Sequence, residues 1–529
     1  MKVKLKLTKI DWLKILKKKS VEAKLIGFTF QQKELENNLS KDVDKTAFTE
    51  LVAHQLDGFY SLIIQSKNGF YAAVDHIRSH PLFYASNEKL LFISDKAEWV
   101  RKQIGDEELC PIARDEFQLT GYVTGADTLF PNVKQLQAGE LLSLENGTLS
   151  TERYYTFEHS EPDNFDETKL KQELYRVSIK ATQRLIQYAN GRQIVIPLSG
   201  GYDSRLIASL LKQAQYENIL CFTYGLKGNK EAKYSKQVAD SLGLRWHFVE
   251  YTEKLWDKAW QTKQRKNYSK YAANHVSLPH IQDWLAVKIM HNNKIIEPNA
   301  VFAPGHSGDM VAGSHIPSFI FENRRNNYSL RELSKHLFDK HYSLTSTSNI
   351  KTNPDIFYKK IKSAINKLEN YTRKEFANES ELHNWQNRQA KYICNSIRVY
   401  ESFGYDWWMP LWDKPFINFF ESLPLRLRDH TWYVNFVSEQ YERISGGSIL
   451  KSSSEKSLII LLLKKMLGKT VYIRKIAKSI YQMIKHSKTS NVFGLVLDKD
   501  EYKKLRNKNY SVLGVFVVWY LNEFYFNKD

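Results

Sequence analysis

The chain has 529 residues, a length typical of two to four domains. Its hydrophobic content of 42% is enough for large cores and argues against a disordered chain. Its net charge of +19 favours phosphorylated or other polyanionic partners without choosing among them. Three scattered cysteines exclude a disulfide framework and a zinc site and are typical of a reducing compartment, and no run of about 18 apolar residues could span a membrane.

Residues 1–160 are predicted to be mostly β, in a first domain with those limits. Short alternating runs separated by turns such as Lys67-Asn68-Gly69 indicate the strands. The predicted strands are Lys2–Leu7, Ala23–Phe30, Gly58–Gln65, Gly69–Asp75, Leu90–Ser94 and Glu140–Ser143. A helix is expected around Glu34–Asn38, and the acidic stretch Glu158 to Glu167 is interpreted as a linker.

A second domain, residues 165–450, begins where the hydrophobic period changes to 3.6. Apolar residues predict a helix over Leu170–Asn190. Strands Gln193–Leu198, Leu220–Tyr224 and Trp246–Glu250 then alternate with helices from Ser204 and over Lys233–Leu242, which predicts a parallel α/β sheet. After Tyr268 the chain is expected to be mainly helical, with one further strand at Lys294–Glu297.

The segment Ile194 to Arg205 carries the clearest chemistry. A buried strand leads directly into Ser199-Gly200-Gly201-Tyr202-Asp203-Ser204 and then into an amphipathic helix. Glycines and a helix N-terminus let backbone N–H groups approach an anion, so the pattern indicates a phosphate site. Asp203 would repel phosphate unless it held a cation, which makes it a candidate Mg²⁺ ligand. The alternative is a plain strand–turn–helix with Ser204 as the helix N-cap.

This segment resembles the PP-loop ATP pyrophosphatases, and specifically the asparagine-synthetase family. The resemblance implies cleavage of ATP between the α- and β-phosphates, an acyl-adenylate, and ATP and Mg²⁺ as cofactors. Cys221-Phe222-Thr223-Tyr224 is similar to the family's second strand, and Trp408 to Asp413 is similar to its Val-Pro-Phe-Leu-Asp signature. The residues that the resemblance assigns to the nucleotide are Leu198, Ser199, Gly200, Gly201, Asp203, Ser204, Tyr224 and Gly305.

A second loop, Ala303 to Gly313, resembles the family's pyrophosphate loop. It puts Asp309 at the metal-binding aspartate, so the metal ligands are expected to be Asp203 and Asp309. His306 stands where the family has a proton-managing glutamate, and it is a base, only a phosphate contact, or a loop histidine without a catalytic part. Lys451 is the candidate for the family's adenylate-stabilising lysine, with Lys456 as a competitor.

The first domain resembles class II glutamine amidotransferases, which have an N-terminal-nucleophile (Ntn) β-sandwich fold. Val74 to Tyr84 is similar to their Asp-Arg-X-Gly hairpin. Their chemistry needs a cysteine as the first mature residue, whereas residue 2 is Lys2. Their glutamine-binding Asn and Glu correspond to Ile26 and Phe28. We therefore expect an α+β Ntn-hydrolase-like domain without glutaminase activity, followed by the α/β PP-loop domain with a large helical C-terminal part.

The expected function is that of an ATP-dependent amide-forming ligase, with a polysaccharide or a secondary metabolite as a possible target of amidation. Two alternatives stay open: asparagine synthesis proper and a non-catalytic scaffold. Sulfur transfer is disfavoured because paired cysteines are missing. The implied partners are a small-molecule carboxylate acceptor and an amine or ammonia donor, without nucleic acid; a homodimer stays open. The third region, residues 451–529, is a basic helical extension. Its segment Ser457 to Ser487 either packs on the core or contacts the inner face of a membrane, in an otherwise cytoplasmic protein.

Overall fold

A computed structural model describes residues 1–9, 11–17, 21–39, 43–322, 325–447, 497 and 499–526. Lys451 and the predicted basic helix over residues 457–487 lie outside these residues. No helix within the described ranges combines the length and the apolar character that crossing a membrane requires.

Two β-sheets form the N-terminal part of the chain. One has the strand order β1-β7-β6-β8 and the other has the order β10-β9-β5-β4-β3-β2. The strands are β1 Lys2–Lys6, β2 Leu13–Lys17, β3 Glu22–Thr29, β4 Gly58–Gln65, β5 Phe70–Val74, β6 Phe83–Ser86, β7 Leu90–Ser94, β8 Lys134–Gln135, β9 Glu140–Glu145 and β10 Thr148–Arg153.

Alternation along β4 explains how the two sheets pack. Ile63 belongs to a hydrophobic cluster shared with Leu91 and Ile93 of the other sheet. Its neighbours Leu62 and Ile64 point to the opposite face, where a second cluster packs against the first two helices. The sheets therefore form a sandwich with a helical cover, which confirms the predicted β-rich first domain.

A five-stranded parallel sheet follows, in the order β13-β12-β11-β14-β17. Its strands are β11 Ile194–Pro197, β12 Ile219–Gly225, β13 Arg245–Glu250, β14 Val301–Phe302 and β17 Asp406–Trp407; a separate small hairpin pairs β15 Tyr328–Ser329 with β16 Asn370–Tyr371. Helices cover this sheet, so the predicted α/β class is confirmed.

The α-helices occur in every part of the chain and are concentrated after residue 250. They are α1 Gln32–Asn38, α2 Lys45–Glu50, α3 Ala97–Ile104, α4 Pro111–Thr120, α5 Glu167–Ala189, α6 Tyr202–Gln213, α7 Lys230–Leu242, α8 Glu253–Trp260, α9 Lys263–Ala273, α10 Trp284–Asn292, α11 Gly308–Val311, α12 Phe319–Glu322, α13 Leu330–His341, α14 Pro354–Ser363, α15 Arg373–Asn384, α16 Arg398–Glu401, α17 Lys414–Glu421, α18 Thr431–Ser445, α19 Lys499–Asn507 and α20 Val512–Leu521. π-helical turns span Leu51–Gln55, Trp385–Ile393 and Asn522–Phe526. Short 3₁₀ turns span Thr347–Asn349, Cys394–Ile397, Pro410–Trp412 and Leu425–Leu427.

One predicted strand is wrong. Residues 294–297 form a turn after α10, because Lys294 and Asn299 adopt positive φ angles of 55° and 61° and the Ile295 N–H bonds back to the Met290 carbonyl. The strand is instead Val301–Phe302, in register with Ile194 and Val195. The apolar pair that suggested a strand closes the end of a helix.

Buried hydrogen bonds join the β-sandwich to the helical part. The Lys391 ammonium donates to the carbonyls of Val123 at 3.1 Å and Gly125 at 2.5 Å. The Trp385 indole donates to the His76 carbonyl at 2.9 Å. The two parts therefore share a polar, solvent-excluded contact, whereas the domain limits at 160, 165 and 450 stay predictions.

Candidate active site

Residues 198–204, which are the loop after β11 and the first turn of α6, form an open anion cradle. Helix α6 begins at Tyr202, two residues earlier than expected, with Gly201 as an N-cap that makes no side-chain capping bond. Ser204 is therefore inside the first turn and is not the N-cap. The first N–H groups of α6 thus remain available to a ligand oxygen.

Two hydroxyl groups and two glycines shape this cradle. The Ser199 hydroxyl accepts the Gly201 N–H at 3.1 Å and lies 3.2 Å from the Ser204 hydroxyl. A Cβ atom at Gly200 would lie 2.8 Å from the Tyr234 Cβ, so any larger residue would push α7 away. Glycine is required at position 200 because the loop backbone there passes close to helix α7. The missing side chain also leaves room for an anion.

Asp203 and Asp309 meet at the carboxyl end of the parallel sheet. The Asp309 N–H donates to Asp203 Oδ2 at 3.1 Å, and the Tyr433 hydroxyl donates to Asp203 Oδ1 at 3.1 Å. The loop after β14 reaches this position because Gly305 and Gly308 pass close to Asp203; a Cβ atom on either would lie within 3.0 Å of it. The structure thus brings together the two carboxylates that were predicted from separate loops.

Electrostatics suit a cation at this junction. Burial, followed by the neighbouring Asp309 charge, raises the pKa of Asp203 to about 7. Asp203 is half-buried and Asp309 is exposed, and neither carboxylate forms an ion pair with a lysine, arginine or histidine in the part of the chain that the structure describes. Within the described ranges no cluster of three or more His, Cys, Asp or Glu residues could hold a metal by itself. Two carboxylates fit Mg²⁺ only when phosphate oxygens complete its shell, as is usual for this ion.

His306 lies behind the loop and faces the protein interior. Its Nε2 is 3.0 Å from the Ser396 hydroxyl, which itself donates to the Ile393 carbonyl. Burial, and then the neighbouring His280, lowers the pKa of His306 to about 3. A neutral histidine with so low a pKa is a poor general base at neutral pH, so its predicted role as a base loses support.

Tyr224 is the last residue but one of strand β12. Its ring stacks on Tyr251 with centroids 5.1 Å apart, and its carbonyl lies 3.5 Å from the Asn229 amide nitrogen. The side chain is thus held by protein contacts, and the predicted adenine contact through the backbone stays a prediction. Tyr433 was missed in the sequence, because it approaches from α18 and belongs to no motif near Asp203.

Two family models match the chain over these elements. The model described as asparagine synthase matches residues 186–433, which contain the cradle and the carboxylate pair. The model described as a glutamine amidotransferase domain matches residues 45–155. Residues 186–433 therefore form a domain of the asparagine synthase family.

Solved structures resemble parts of this chain at low identity. An NH3-dependent NAD synthetase from Campylobacter jejuni subsp. jejuni NCTC 11168 is 16% identical over 28% of this chain and 61% of its own length, with a TM-score of 0.20. The glutamine phosphoribosylpyrophosphate amidotransferase from B. subtilis is 11% identical over 56% of this chain and 58% of its own length, with a TM-score of 0.17. The chain therefore spans less than two thirds of either protein. A search of curated proteins gave no match.

The amidotransferase-like part of this asparagine synthetase relative borders a cavity of about 880 Å³ shared with the helical part. Ile26 and Phe28, which stand where glutamine-binding Asn and Glu were expected, line it, and no cysteine does. The Asp57 carboxylate lies 2.8 Å from the Arg184 guanidinium, which also pairs with Asp413 at 2.6 Å. The cavity is separate from the anion cradle, since none of the cradle residues lines it.

Proposed function

We propose that this chain activates a carboxylate as an acyl-adenylate and transfers the acyl group to ammonia or an amine. One observation carries the proposal. An open anion cradle and the carboxylates of Asp203 and Asp309 meet at the carboxyl end of a parallel sheet, within the region matched by the asparagine synthase model. Ligands of open α/β sheets bind at this edge.

The reaction balances without a redox step. An acceptor carboxylate oxygen attacks the α-phosphorus of ATP, the bond to the β-phosphate breaks, and pyrophosphate leaves. The amine nitrogen then attacks the acyl carbon, AMP leaves, and the nitrogen gives up a proton. In this scheme residues 198–204 bind the phosphates, and Asp203 and Asp309 would hold Mg²⁺. Bound Mg²⁺ would neutralise charge on the leaving pyrophosphate.

We further propose that the nitrogen donor is not glutamine hydrolysed by this chain. Apolar walls at Ile26 and Phe28 offer no partner to the charged ends of an amino acid, and burying those charges unpaired is costly. Glu401 and Asp406, two carboxylates that do line the cavity, are already paired with Lys9 and Arg398 and with Arg192, respectively. Free ammonia, a substrate amine or ammonia from a partner protein would supply the nitrogen.

Product analysis tests both proposals. Purified protein is incubated with ATP, Mg²⁺, either ammonia or glutamine, and a panel of carboxylates that includes aspartate, and nucleotides and amino acids are separated by chromatography. AMP and pyrophosphate are expected, and the Asp309→Asn variant should lose both, whereas Asp339→Asn on the exposed face of α13 should not. ADP and phosphate would contradict adenylation, glutamate release from glutamine would contradict the second proposal, and no turnover with any acid would favour a scaffold.

A further inference from the structure

The cavity of about 880 Å³ between the β-sandwich and the helical part has the size of a site for a small organic molecule. We call it the interface cavity. Strands β3 and β4 of the sandwich line it together with helices α5, α9, α10 and α16 and the segment around β17. The proposed reaction does not use it, because residues 198–204 and Asp309 lie outside its lining.

Five aromatic rings form one continuous wall of the interface cavity. Phe28 contacts Tyr188 with ring centroids 5.1 Å apart, and Tyr188 contacts Trp408 at 4.9 Å. Phe59 then contacts Trp408 at 4.6 Å and Trp407 at 5.7 Å. The rings come from both parts of the chain and hold each other in place. Such a wall binds another planar ring by offset stacking or edge-to-face contact.

Three tyrosines of the lining use their hydroxyl groups within the protein. The Tyr268 hydroxyl donates to a backbone carbonyl, and the Tyr271 hydroxyl donates to Glu401. The Tyr405 hydroxyl lies 2.8 Å from His291 Nδ1. Because these polar ends already have partners, the tyrosines offer a ligand mainly the faces and edges of their rings.

The charges that line the interface cavity are balanced. The Glu401 carboxylate lies 3.0 Å from the Lys9 ammonium, and Asp406 forms an ion pair with Arg192. The other two charged lining residues are exposed and of opposite sign: Asp11 and Lys96. A charged ligand would therefore be buried without a partner for its charge, which is unfavourable, so the cavity favours a neutral molecule.

His80 supplies a buried hydrogen-bonding group in this lining. Its side chain is only 9% exposed, its ring lies beside Trp407 with centroids 5.3 Å apart, and neither ring nitrogen bonds to a described residue. Burial, and then the charge of Lys9, holds the pKa of His80 well below its usual value, so the imidazole is neutral. At Gly27, which also lines the cavity, a Cβ atom would lie 2.8 Å from His80 Nε2. Glycine thus leaves this nitrogen uncovered, and a buried polar atom of this kind needs a partner.

We infer that the interface cavity binds a neutral molecule with a planar aromatic ring whose edge carries a hydrogen-bonding group for His80 Nε2. The aromatic wall would contact the faces of that ring. A sugar fits less well, because its hydroxyl groups point in all directions and the lining has few free partners for them. This site is additional to the proposed reaction and does not depend on it.

Titration calorimetry on the full-length protein tests this inference without turnover. Mg²⁺ and α,β-methylene-ATP are present at saturation, so that the nucleotide site is filled. The probes are benzimidazole, which is planar, uncharged at neutral pH and able to donate and accept, together with fluorobenzene, cyclohexanol, benzoate and glucose. Benzimidazole should bind about tenfold more tightly than cyclohexanol, benzoate or glucose. His80→Phe keeps a ring and should weaken benzimidazole binding about fivefold while leaving fluorobenzene binding unchanged, which a merely structural role would not do.

A second variant tests the aromatic wall. Phe28→Leu should weaken the binding of both benzimidazole and fluorobenzene, whereas Phe165→Leu, which changes a half-buried phenylalanine outside the lining, should weaken neither. Thermal unfolding identifies a variant that fails to fold, and the comparison of Phe28→Leu with Phe165→Leu then decides. Tightest binding of benzoate or glucose would overturn the inference, as would the lack of saturable benzimidazole binding. Benzimidazole binding only when α,β-methylene-ATP is left out would assign the probe to the nucleotide site and also overturn it.

Discussion

Replacing Gly308 by alanine should weaken Mg²⁺-dependent ATP binding. The new Cβ atom would lie 2.6 Å from Asp203 Oδ1 and 2.6 Å from Leu411 Cδ1, where ordinary contacts begin at 3.4 Å. To reach an ordinary contact distance, the atoms must separate by about 0.8 Å. Because the repulsion between them is steep, either the Asp309 loop or the Asp203 side chain has to move. The two carboxylates would then no longer meet at one ion.

The magnitude follows from the cost of overpacking. An extra buried methyl group typically costs about 1–3 kcal/mol, and if that cost falls on the nucleotide-bound arrangement, the dissociation constant rises about 5- to 150-fold. Titration calorimetry with ATP and Mg²⁺ measures the change, and thermal unfolding checks that the fold is intact. Gly447→Ala is the matched control, because its Cβ would lie 3.9 Å from the nearest atom, Ser445 Oγ. An unchanged affinity of Gly308→Ala would refute the reasoning that the loops must approach this closely.

Three further results are expected. Mg²⁺ titrated into nucleotide-free protein should bind far more weakly than Mg²⁺ with ATP, since two carboxylates leave its shell incomplete; tight binding to the free protein would argue against this coordination. Burial raises the pKa of Glu421 from 4.5 to about 7, so its burial costs stability as pH rises through that range. Glu421→Gln should gain stability over wild type between pH 5 and 8, by at most about 3 kcal/mol in urea unfolding; a pH-independent difference would contradict this. Trp385→Phe leaves the His76 carbonyl without its donor and should cost about 1–3 kcal/mol. Trp412→Phe should cost less, since its indole nitrogen has no partner in the described part of the chain.

The sequence was sufficient where one local pattern determines both structure and chemistry. The strand–Gly–Gly–helix pattern at residues 194–205 predicted the anion cradle because only glycine allows the close approach to Tyr234. The 3.6-residue period predicted helix α5, found at Glu167–Ala189, because one face of it is buried. The same reasoning failed at Ile295 and Ile296, since a short apolar run fits a strand and a helix end equally well.

Other parts of the site depend on tertiary packing that no local pattern encodes. Tyr433 reaches Asp203 from 230 residues away. The low pKa of His306 follows from burial, which a loop sequence with glycine and proline does not reveal. The family resemblance identified candidate residues, but the burial and the contacts of each residue could be learned only from the three-dimensional structure.

The hydrogen bonds from Lys391 and Trp385 to residues of the N-terminal part make the two parts of the chain depend on each other. If residues 1–160 were removed, the Lys391 ammonium would lose the carbonyls of Val123 and Gly125 as acceptors. The helical part therefore depends on the sandwich for its own stability, whatever reaction the cavity of the sandwich supports.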